Sequence, residues 1–443
     1  MTVGQSRHLE DVFDPIIHLN YSPPSSTFSM EDLGFTVSDA STTIAGSVPF
    51  PLLSPEGVLA YRRAMKEALE PCASVYDTRT LILRNIAKHS KFIRDLWSHP
   101  ETTRIISEVA GISLTVVMPI EMGHTNIQTS SSTIQEMMQE FQIEPSTQRV
   151  ETTAEEANYD PLAVDSVVPW HHDSYPFVCV LMLSDTTSMI GGETYVKRGD
   201  GTPMKIEGPS LGYCVVLQGG QIEHLAARAF GTAERITAVT SYRSNVDGLY
   251  DNSYLSNVRP YSKTHDLYPE WTLYRLEKLQ HELRLMQGIV LEARRNGHGV
   301  PLDTLNEFAD NQVSYLQRTV RQMMCPTLCQ DIVERFGLKA IYGAPTTWER
   351  IRSNPRFEEL LPAAMKLTET LPLFSLYLSD WDTARGAVGR GKTLSSYCGP
   401  LSWDRKENGK TLEYTFGDEL VRQGLREVLL AWLERTGLLG LAK

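Results

Sequence analysis

"VVPWHHDSYPFVCVLMLSD", residues 167–185, places two histidines and an aspartate in front of an apolar run. In an extended chain successive side chains point to opposite faces, so His171 and Asp173 share a face and His172 lies on the other. A metal ion with open coordination positions needs protein ligands that converge from one side. The pattern therefore predicts His171 and Asp173 as a chelating pair and leaves His172 outside it.

A third ligand is expected from a separate strand. His224 fits, because it follows the strand-like segment GYCVVLQGG and its turn. Two imidazoles and one carboxylate on one face leave positions open on an octahedral metal, an arrangement that suits non-haem Fe(II) and oxygen activation. Zinc hydrolases also use two histidines and one acid, so this triad alone leaves the identity of the metal open.

An arginine follows the predicted triad. Arg235 opens the strand-like segment RITAVTSY, and Thr237 shares its face. A guanidinium binds a carboxylate through two hydrogen bonds, as the distal carboxylate of 2-oxoglutarate would require, and a neighbouring hydroxyl can add a third. Arg243 has the same parity but lies about 26 Å further along an extended strand, and Arg228 lies in a turn. Arg235 is therefore the predicted anchor; the alternative is a surface ion pair, for instance with Glu234.

A second group of polar residues lies on an earlier strand. His124, Asn126 and Gln128 alternate in EMGHTNIQT, so they share one face. We expect His124 and Asn126 to bind cosubstrate or substrate, the alternative being ordinary polarity at a barrel edge. Further candidates for substrate contact are the aromatic residues Trp170, Tyr175 and Tyr195.

Short strand-like segments dominate the chain from about residue 110 to residue 245. LTVVMP, HTNIQT, PFVCVLML, GGETYV, GYCVVL and RITAVTSY are rich in β-branched or aromatic residues, and Gly-, Pro- and Asp-containing turns separate them. Many short strands in one region predict an antiparallel barrel or sandwich. With the helices expected on either side, the predicted fold class is α+β.

The chain divides into three predicted regions. Residues 1–50 are rich in Ser, Thr and Pro and are expected to form an irregular arm. Residues 51–245 are expected to hold helices and the barrel, with a helix starting at the Ser54 cap and a flexible insertion over 129–165. Residues 246–443 are expected to be helical, and their leucine stripes predict internal packing or a homodimer surface.

The composition narrows the functional class. The chain has 443 residues and a formal net charge of -12, which argues against nucleic-acid binding. The apolar run Val178–Leu183 is far shorter than the roughly 20 residues that span a bilayer, and the N-terminus lacks an apolar signal core. The six cysteines, mostly far apart, are expected to be free thiols. We expect a soluble, cytoplasmic protein that acts on a small molecule.

The pattern HHD…GGET…GYCVVLQGGQIEH…ERITAVTSYR resembles the iron(II)- and 2-oxoglutarate-dependent dioxygenases. The resemblance covers residues 165–245, with the barrel extending back to about 110. It implies a double-stranded β-helix, or jelly roll, in which His171, Asp173 and His224 bind Fe(II) and Arg235 binds 2-oxoglutarate. It also implies that O2 is consumed and that a C–H bond is hydroxylated, desaturated or closed into a ring.

A narrower resemblance concerns the segments WHHDSYPFVCVLMLSD and VVLQGGQIEH, which are similar to a group of fungal proteins of secondary metabolism. Related enzymes act on amino acids or secondary metabolites, including one type that closes valine into an aziridine. Two alternatives stay open at this point. One is a hydrolytic metalloprotein on the same barrel, and the other is a non-catalytic jelly-roll scaffold that uses its helical C-terminal region for interactions.

Overall fold

The computed structural model describes residues 11–35, 40–75, 80–129, 133–162, 168–249, 251, 253–255 and 257–323. These residues belong to two compact units. The first comprises residues up to Trp170 together with Tyr175–Val246, and the second comprises His171–Ser174 together with the residues that follow Val246.

Short strands are the most frequent elements in the described part of the first unit. Its strands are β1 (Thr27–Ser29), β2 (Ile44–Ser47), β3 (Phe50–Pro51), β4 (Ala73–Val75), β5 (Thr80–Leu83), β6 (Leu114–Val116), β7 (His124–Thr129), β8 (Val168–His171), β9 (Phe177–Met182), β10 (Ile190–Gly191), β11 (Thr194–Lys197), β12 (Pro203–Ile206), β13 (Tyr213–Leu217), β14 (His224–Ala226), β15 (Ala229–Phe230) and β16 (Glu234–Ser244). The α-helices among the described residues are α1 (Pro15–His18), α2 (Pro55–Cys72), α3 (Lys91–Ser98), α4 (Pro100–Ala110), α5 (Ile134–Glu140), α6 (Ala154–Ala157), α7 (Thr264–Arg295) and α8 (Leu302–Arg321). Single turns of 3-10 helix lie at Ile86–Lys88, Pro119–Glu121 and Arg259–Tyr261.

The strands form a large sheet, a small sheet and a two-stranded pair. The ten-stranded sheet runs β1-β2-β13-β9-β16-β7-β5-β4, with β3 beside β13 and β6 beside β16. The four-stranded sheet runs β12-β11-β14-β8, and β10 pairs with β15. The pairings β13–β9, β9–β16 and β16–β7 in the large sheet and β11–β12 and β11–β14 in the small sheet are antiparallel.

Alternating side chains of the large sheet fill two different apolar clusters. Val178 of β9 packs with Val196 of the small sheet, in a cluster that lies between the two sheets. Phe177 and Cys179 point the other way. They pack in a cluster with residues of α2, α3 and α4, among them Trp97 of α3. This alternation is what an antiparallel strand buried on both faces requires. The predicted α+β class with a jelly-roll core and flanking helices is confirmed.

The N-terminal segment differs from the predicted irregular arm over 1–50. In its described part, β1 and β2 extend the large sheet, and Gly46 pairs with Leu217 of β13. Ala45 is fully buried in the cluster between the sheets. Packing against β13 therefore orders this segment. The surrounding Ser and Thr residues give it the composition of a loop, so the sequence pattern does not indicate these strands.

The predicted insertion over 129–165 contains α5 and α6. Each helix begins at a capping box in which a threonine and a glutamate exchange hydrogen bonds with main-chain N–H groups, Thr133 with Glu136 and Thr153 with Glu156. Such reciprocal caps satisfy two of the donors that every helix start leaves open. The Thr-x-x-Glu spacing therefore favours helices in a segment whose composition otherwise resembles a loop.

In the described part of the second unit, α7 and α8 are the main elements, as the periodicity of the sequence predicts. Met286 of α7 is buried, but Leu273, Leu276 and Leu283 from the same predicted stripe are exposed. The dimer surface assigned to these stripes stays a prediction, and the helices expected over 324–443 lie outside the described residues. Among the described helices there is none with the length and hydropathy needed to span a membrane.

Candidate metal centre and cosubstrate site

The structure brings the predicted histidines and aspartate together. His171 is the last residue of β8 and His224 the first of β14, and these strands are neighbours in the small sheet. One ligand atom from each of His171, Asp173 and His224 lies within 4.8 Å of the other two. His171 Nε2 and Asp173 Oδ1 are 3.6 Å apart. Two imidazoles and a carboxylate are thus available to one cation, whereas the His172 side chain is not part of this group.

A main-chain contact fixes the tautomer of His224. Its Nδ1 lies 2.9 Å from the carbonyl oxygen of Ile222, which can only accept, so Nδ1 carries the proton. The lone pair is then left on Nε2, the nitrogen available to a metal. Such a second contact to a backbone carbonyl is the usual way in which a protein orients a metal-binding imidazole.

Arg235 is a buried cation with unused hydrogen-bonding capacity. Its exposed fraction is 4%, and Nη2 donates to the carbonyl of Gly192 at 3.0 Å. Its Nε has no hydrogen-bond partner among the described residues. Burial lowers the pKa of Arg235 to about 10, while the nearby Glu193 carboxylate acts in the opposite direction. The guanidinium therefore stays charged at neutral pH and has a donor left for an anion.

The alternative ion pair with Glu234 is not formed. Glu234 points to the opposite side of β16 and binds Arg62, with 2.8 Å between Glu234 Oε1 and Arg62 Nη1. Arg62 is itself fully buried and also donates to the carbonyls of Ile143 and Leu183. Glu234 and Arg62 thus belong to the helix-facing side of the sheet, and Arg235 belongs to the inner side.

Two successive glycines shape the main chain beside Arg235. Gly191 and Gly192 both have φ of 79°, a region that favours glycine. A Cβ on Gly192 would lie 3.1 Å from Arg235 Nε and 2.9 Å from the sulfur of Met189. The predicted glycine-rich strand start therefore leaves space for the guanidinium.

Gly192→Ala is expected to weaken 2-oxoglutarate binding about 10-fold, the effect of losing roughly 1.4 kcal/mol, because the new methyl group displaces Arg235. The measurement is a titration of the cosubstrate into metal-loaded protein. Gly201→Ala is the matched control, since Gly201 has φ of 85° and its added methyl group would meet nothing within 4 Å. Equal affinities in the two variants would show that Gly192 serves the turn alone.

The polar face predicted on β7 lies beside Arg235 and Thr237. In the antiparallel register of β7 and β16, Gln128 is opposite Arg235 and Asn126 is opposite Thr237. Thr237 is 2% exposed, and Gln128 Nε2 is buried with no hydrogen-bond partner in the part of the chain that the structure describes. Asn126, Gln128, Arg235 and Thr237 thus form one polar patch on the inner face of the large sheet.

His124 belongs to a network that sequence reasoning missed. Its Nδ1 lies 2.8 Å from Arg84 Nη1 and its Nε2 lies 3.3 Å from Asn126 Oδ1. Arg84 forms a buried two-pronged ion pair with Glu121, and the Tyr175 hydroxyl donates to Glu121 at 3.2 Å. These residues come from separate turns and strands, and no spacing in the sequence relates them. His124 therefore orients Asn126, and Tyr175 is a core residue of this network.

The other candidates of the sequence occupy different places. Arg243 pairs with Thr115 near the end of β16 opposite to Arg235. Arg228 uses its carbonyl to accept from the N–H of Gly192. Lys197 places its ammonium 4.9 Å from the ring centre of Trp170, a cation–π contact.

No protein-family model matches this chain, and no curated protein sequence matches it. Among solved structures it is similar to an oxidoreductase of the 2OG-Fe(II) oxygenase family from Burkholderia pseudomallei, with 14% identity, a TM-score of 0.32 and coverage of 51% of this chain and 94% of that chain. It is also similar to the non-heme alpha ketoglutarate dependent epimerase SnoN from nogalamycin biosynthesis, with 15% identity, a TM-score of 0.32 and coverage of 48% of this chain and 80% of that chain. A third similar structure is a Pseudomonas putida prolyl-4-hydroxylase, with 15% identity, a TM-score of 0.24 and coverage of 49% of this chain and 98% of that chain. Values this low assign neither a family nor an activity to this chain.

Proposed function

We propose that the protein is an iron(II)- and 2-oxoglutarate-dependent oxygenase that oxidises a C–H bond of a small molecule. The observation that carries the proposal is the pairing, in one jelly roll, of the His171–Asp173–His224 group with a buried arginine that retains an unused donor. A hydrolytic metal centre would need the first of these features and not the second.

The donor set fits Fe(II). Two neutral imidazoles and one carboxylate leave room for further ligands, and nitrogen and oxygen donors suit this ion. His224 is held in the tautomer that presents Nε2, and the Asp173 carboxylate supplies the negative charge. Fe(II) bound in this way with 2-oxoglutarate and O2 supplies an oxidant for an unactivated C–H bond, while the cosubstrate is converted into succinate and CO2.

The inner polar patch would bind the cosubstrate. Arg235 would hold the distal carboxylate through its guanidinium, and the Thr237 hydroxyl would donate a further hydrogen bond. Asn126, oriented by His124, would supply an amide to the same ligand or to the substrate. Burial of these groups strengthens each hydrogen bond, because little water competes for the donors.

The substrate proposed is an amino acid or a secondary metabolite derived from one. This rests on the resemblance of the His171 and His224 segments to the fungal group. The outcome would be hydroxylation, desaturation or ring closure such as aziridine formation from valine. Mass spectrometry of incubated amino acids separates hydroxylation, which adds one oxygen atom, from desaturation and ring closure, which each remove two hydrogen atoms. Proton NMR of the product then separates the last two, because only desaturation gives vinylic protons.

The proposal predicts that Fe(II) and 2-oxoglutarate bind together to the wild-type protein. Anaerobic titration is expected to give the weak visible metal-to-ligand charge-transfer band of the chelated keto acid. Succinate release under O2 then identifies a substrate from a panel of small molecules. Folded, iron-loaded protein without this band would contradict the oxygenase and favour a hydrolytic metalloprotein. Folded protein that binds no metal would favour the non-catalytic scaffold.

A further inference from the structure

The main chain between His171 and Asp173 is held by later residues of the same compact unit. The carbonyl oxygen of His172 accepts from the Tyr254 hydroxyl and from Asn257 Nδ2, each at 2.8 Å. Two residues further along the chain, the carbonyl oxygen of Ser174 accepts from the Tyr254 main-chain N–H at 3.0 Å. His172 lies between His171 and Asp173. The orientation of its peptide group therefore sets the direction in which the side chains of both residues point.

Tyr254 and Asn257 are themselves rigidly placed. Tyr254 is 3% exposed, and Asn257 Nδ2 lies 3.2 Å from the Tyr254 hydroxyl as well. Between them, Leu255 donates its main-chain N–H to the side-chain oxygen of Gln322 at 2.7 Å. Arg259 donates to the carbonyl of the same Gln322 at 2.7 Å. The segment that carries the two donors is therefore fixed at the end of α8.

A buried polar network fixes the start of this segment to α7. Asp251 lies 3.4 Å from Arg275, and the Tyr274 hydroxyl donates to the Asp251 carboxylate. Burial opposes ionisation of Asp251, but Arg275 and the hydrogen bonds from Ser253 and Tyr274 hold the pKa of its carboxyl below the usual value. Arg275 also donates to Thr319 of α8 at 3.1 Å. The network thus joins both helices to the residues just before Tyr254.

We propose that Tyr254 and Asn257 are positioning residues of the metal site and that α7 and α8 serve to hold the His171-x-Asp173 segment in its ligating conformation. The inference rests on the proposed metal-binding function. Two donors occupy both lone pairs of the His172 carbonyl, and a third contact fixes the carbonyl of Ser174. The peptide group just before Asp173 and the one just after Ser174 are therefore restrained before a metal arrives, which reduces the entropy lost on binding.

If these contacts served only the stability of the fold, a different result would be expected. A buried carbonyl needs only one donor to be satisfied, and loss of the other would then lower stability without altering the metal site. The two readings are separated by measuring metal affinity and thermal unfolding on the same variants.

The test compares Tyr254→Phe, Asn257→Ala and the double variant with the wild-type full-length protein. Metal affinity is measured by Co(II) titration of the metal-free protein, followed by the d–d absorption of the bound ion. Loss of an outer-shell partner typically weakens a metal site 10–100-fold, so we expect about 10-fold for each variant and more for the pair. The Co(II) spectrum is also expected to change, because the ligand directions relax. Tyr213→Phe and Asn296→Ala are matched controls, since both residues are exposed in the described structure.

Each outcome decides the inference separately from the proposed function. Wild-type Co(II) affinity and spectrum in folded Tyr254→Phe and Asn257→Ala would overturn the positioning role, whatever their melting temperatures. Weakened affinity in a protein that gives no Fe(II)–2-oxoglutarate band would support positioning and contradict the oxygenase. A wild-type protein that binds no divalent metal would overturn both.

Discussion

Replacing His224 by alanine is expected to abolish specific metal binding. The variant leaves one imidazole and one carboxylate, and these two lie on a single short segment of the chain. We expect the affinity for Fe(II) or Co(II) to fall by more than about 100-fold, beyond the range seen when only an outer partner of a metal ligand is lost. The charge-transfer band with 2-oxoglutarate should disappear with the metal. Isothermal titration and visible spectroscopy under anaerobic conditions measure the two effects.

The control for this variant is His281→Ala. His281 lies on α7, partly exposed, in a pair with Asp247 at 3.1 Å, far along the chain from the three ligands. Its loss should leave metal affinity and the band unchanged. If His224→Ala remained folded and bound Fe(II) as tightly as His281→Ala, the assignment of His224 as a ligand would be wrong.

The proximity of His171, Asp173 and His224 could be predicted because each of its signals is local. Parity along one strand relates His171 to Asp173, and a strand followed by a turn precedes His224. These patterns survive folding because the period of two in a β-strand is fixed by the backbone. The choice of Arg235 over Arg243 followed from distance along one strand and stays a prediction. The register of β16 places the two arginines near opposite ends of that strand.

The supports of the site could not be predicted, because they are contacts between residues remote in sequence. Tyr254 reaches back to His172, and Tyr175 reaches back to Glu121, with no motif at either end. The β2 strand was missed for a related reason. Its burial depends on β13, which lies far along the chain, and a short Ile-Ala-Gly segment has no periodic signal of its own.

Arg235→Met is expected to remove 2-oxoglutarate binding while leaving the fold as stable as before. A charge-assisted hydrogen bond contributes about 1.5–3 kcal/mol, so losing a two-pronged contact corresponds to a decrease of at least roughly 100-fold in affinity. Metal binding should persist, because no ligand is altered. Fe(II) titration with and without the cosubstrate separates these effects.

The stability of this variant is the sharper part of the prediction. In the wild type, Arg235 is buried and donates to the carbonyl of Gly192, while its Nε lacks a hydrogen-bond partner within the described ranges. A buried, incompletely satisfied cation costs free energy, and methionine fills similar space without that cost. In the absence of cosubstrate, the melting temperature of Arg235→Met should therefore equal or exceed that of the wild type.

Arg243→Met on the same strand is the matched control for Arg235→Met. Arg243 has the same parity and is also buried, but it lies beside Thr115, eight residues further along β16. Folded Arg243→Met should bind 2-oxoglutarate with wild-type affinity. A lower melting temperature of Arg235→Met combined with unchanged cosubstrate affinity would show that Arg235 supports the sheet. If Arg235 serves anion binding, Arg235→Met should lose affinity for 2-oxoglutarate and keep an unchanged or higher melting temperature. The reason is that a buried charge without an anion lowers the stability of the fold.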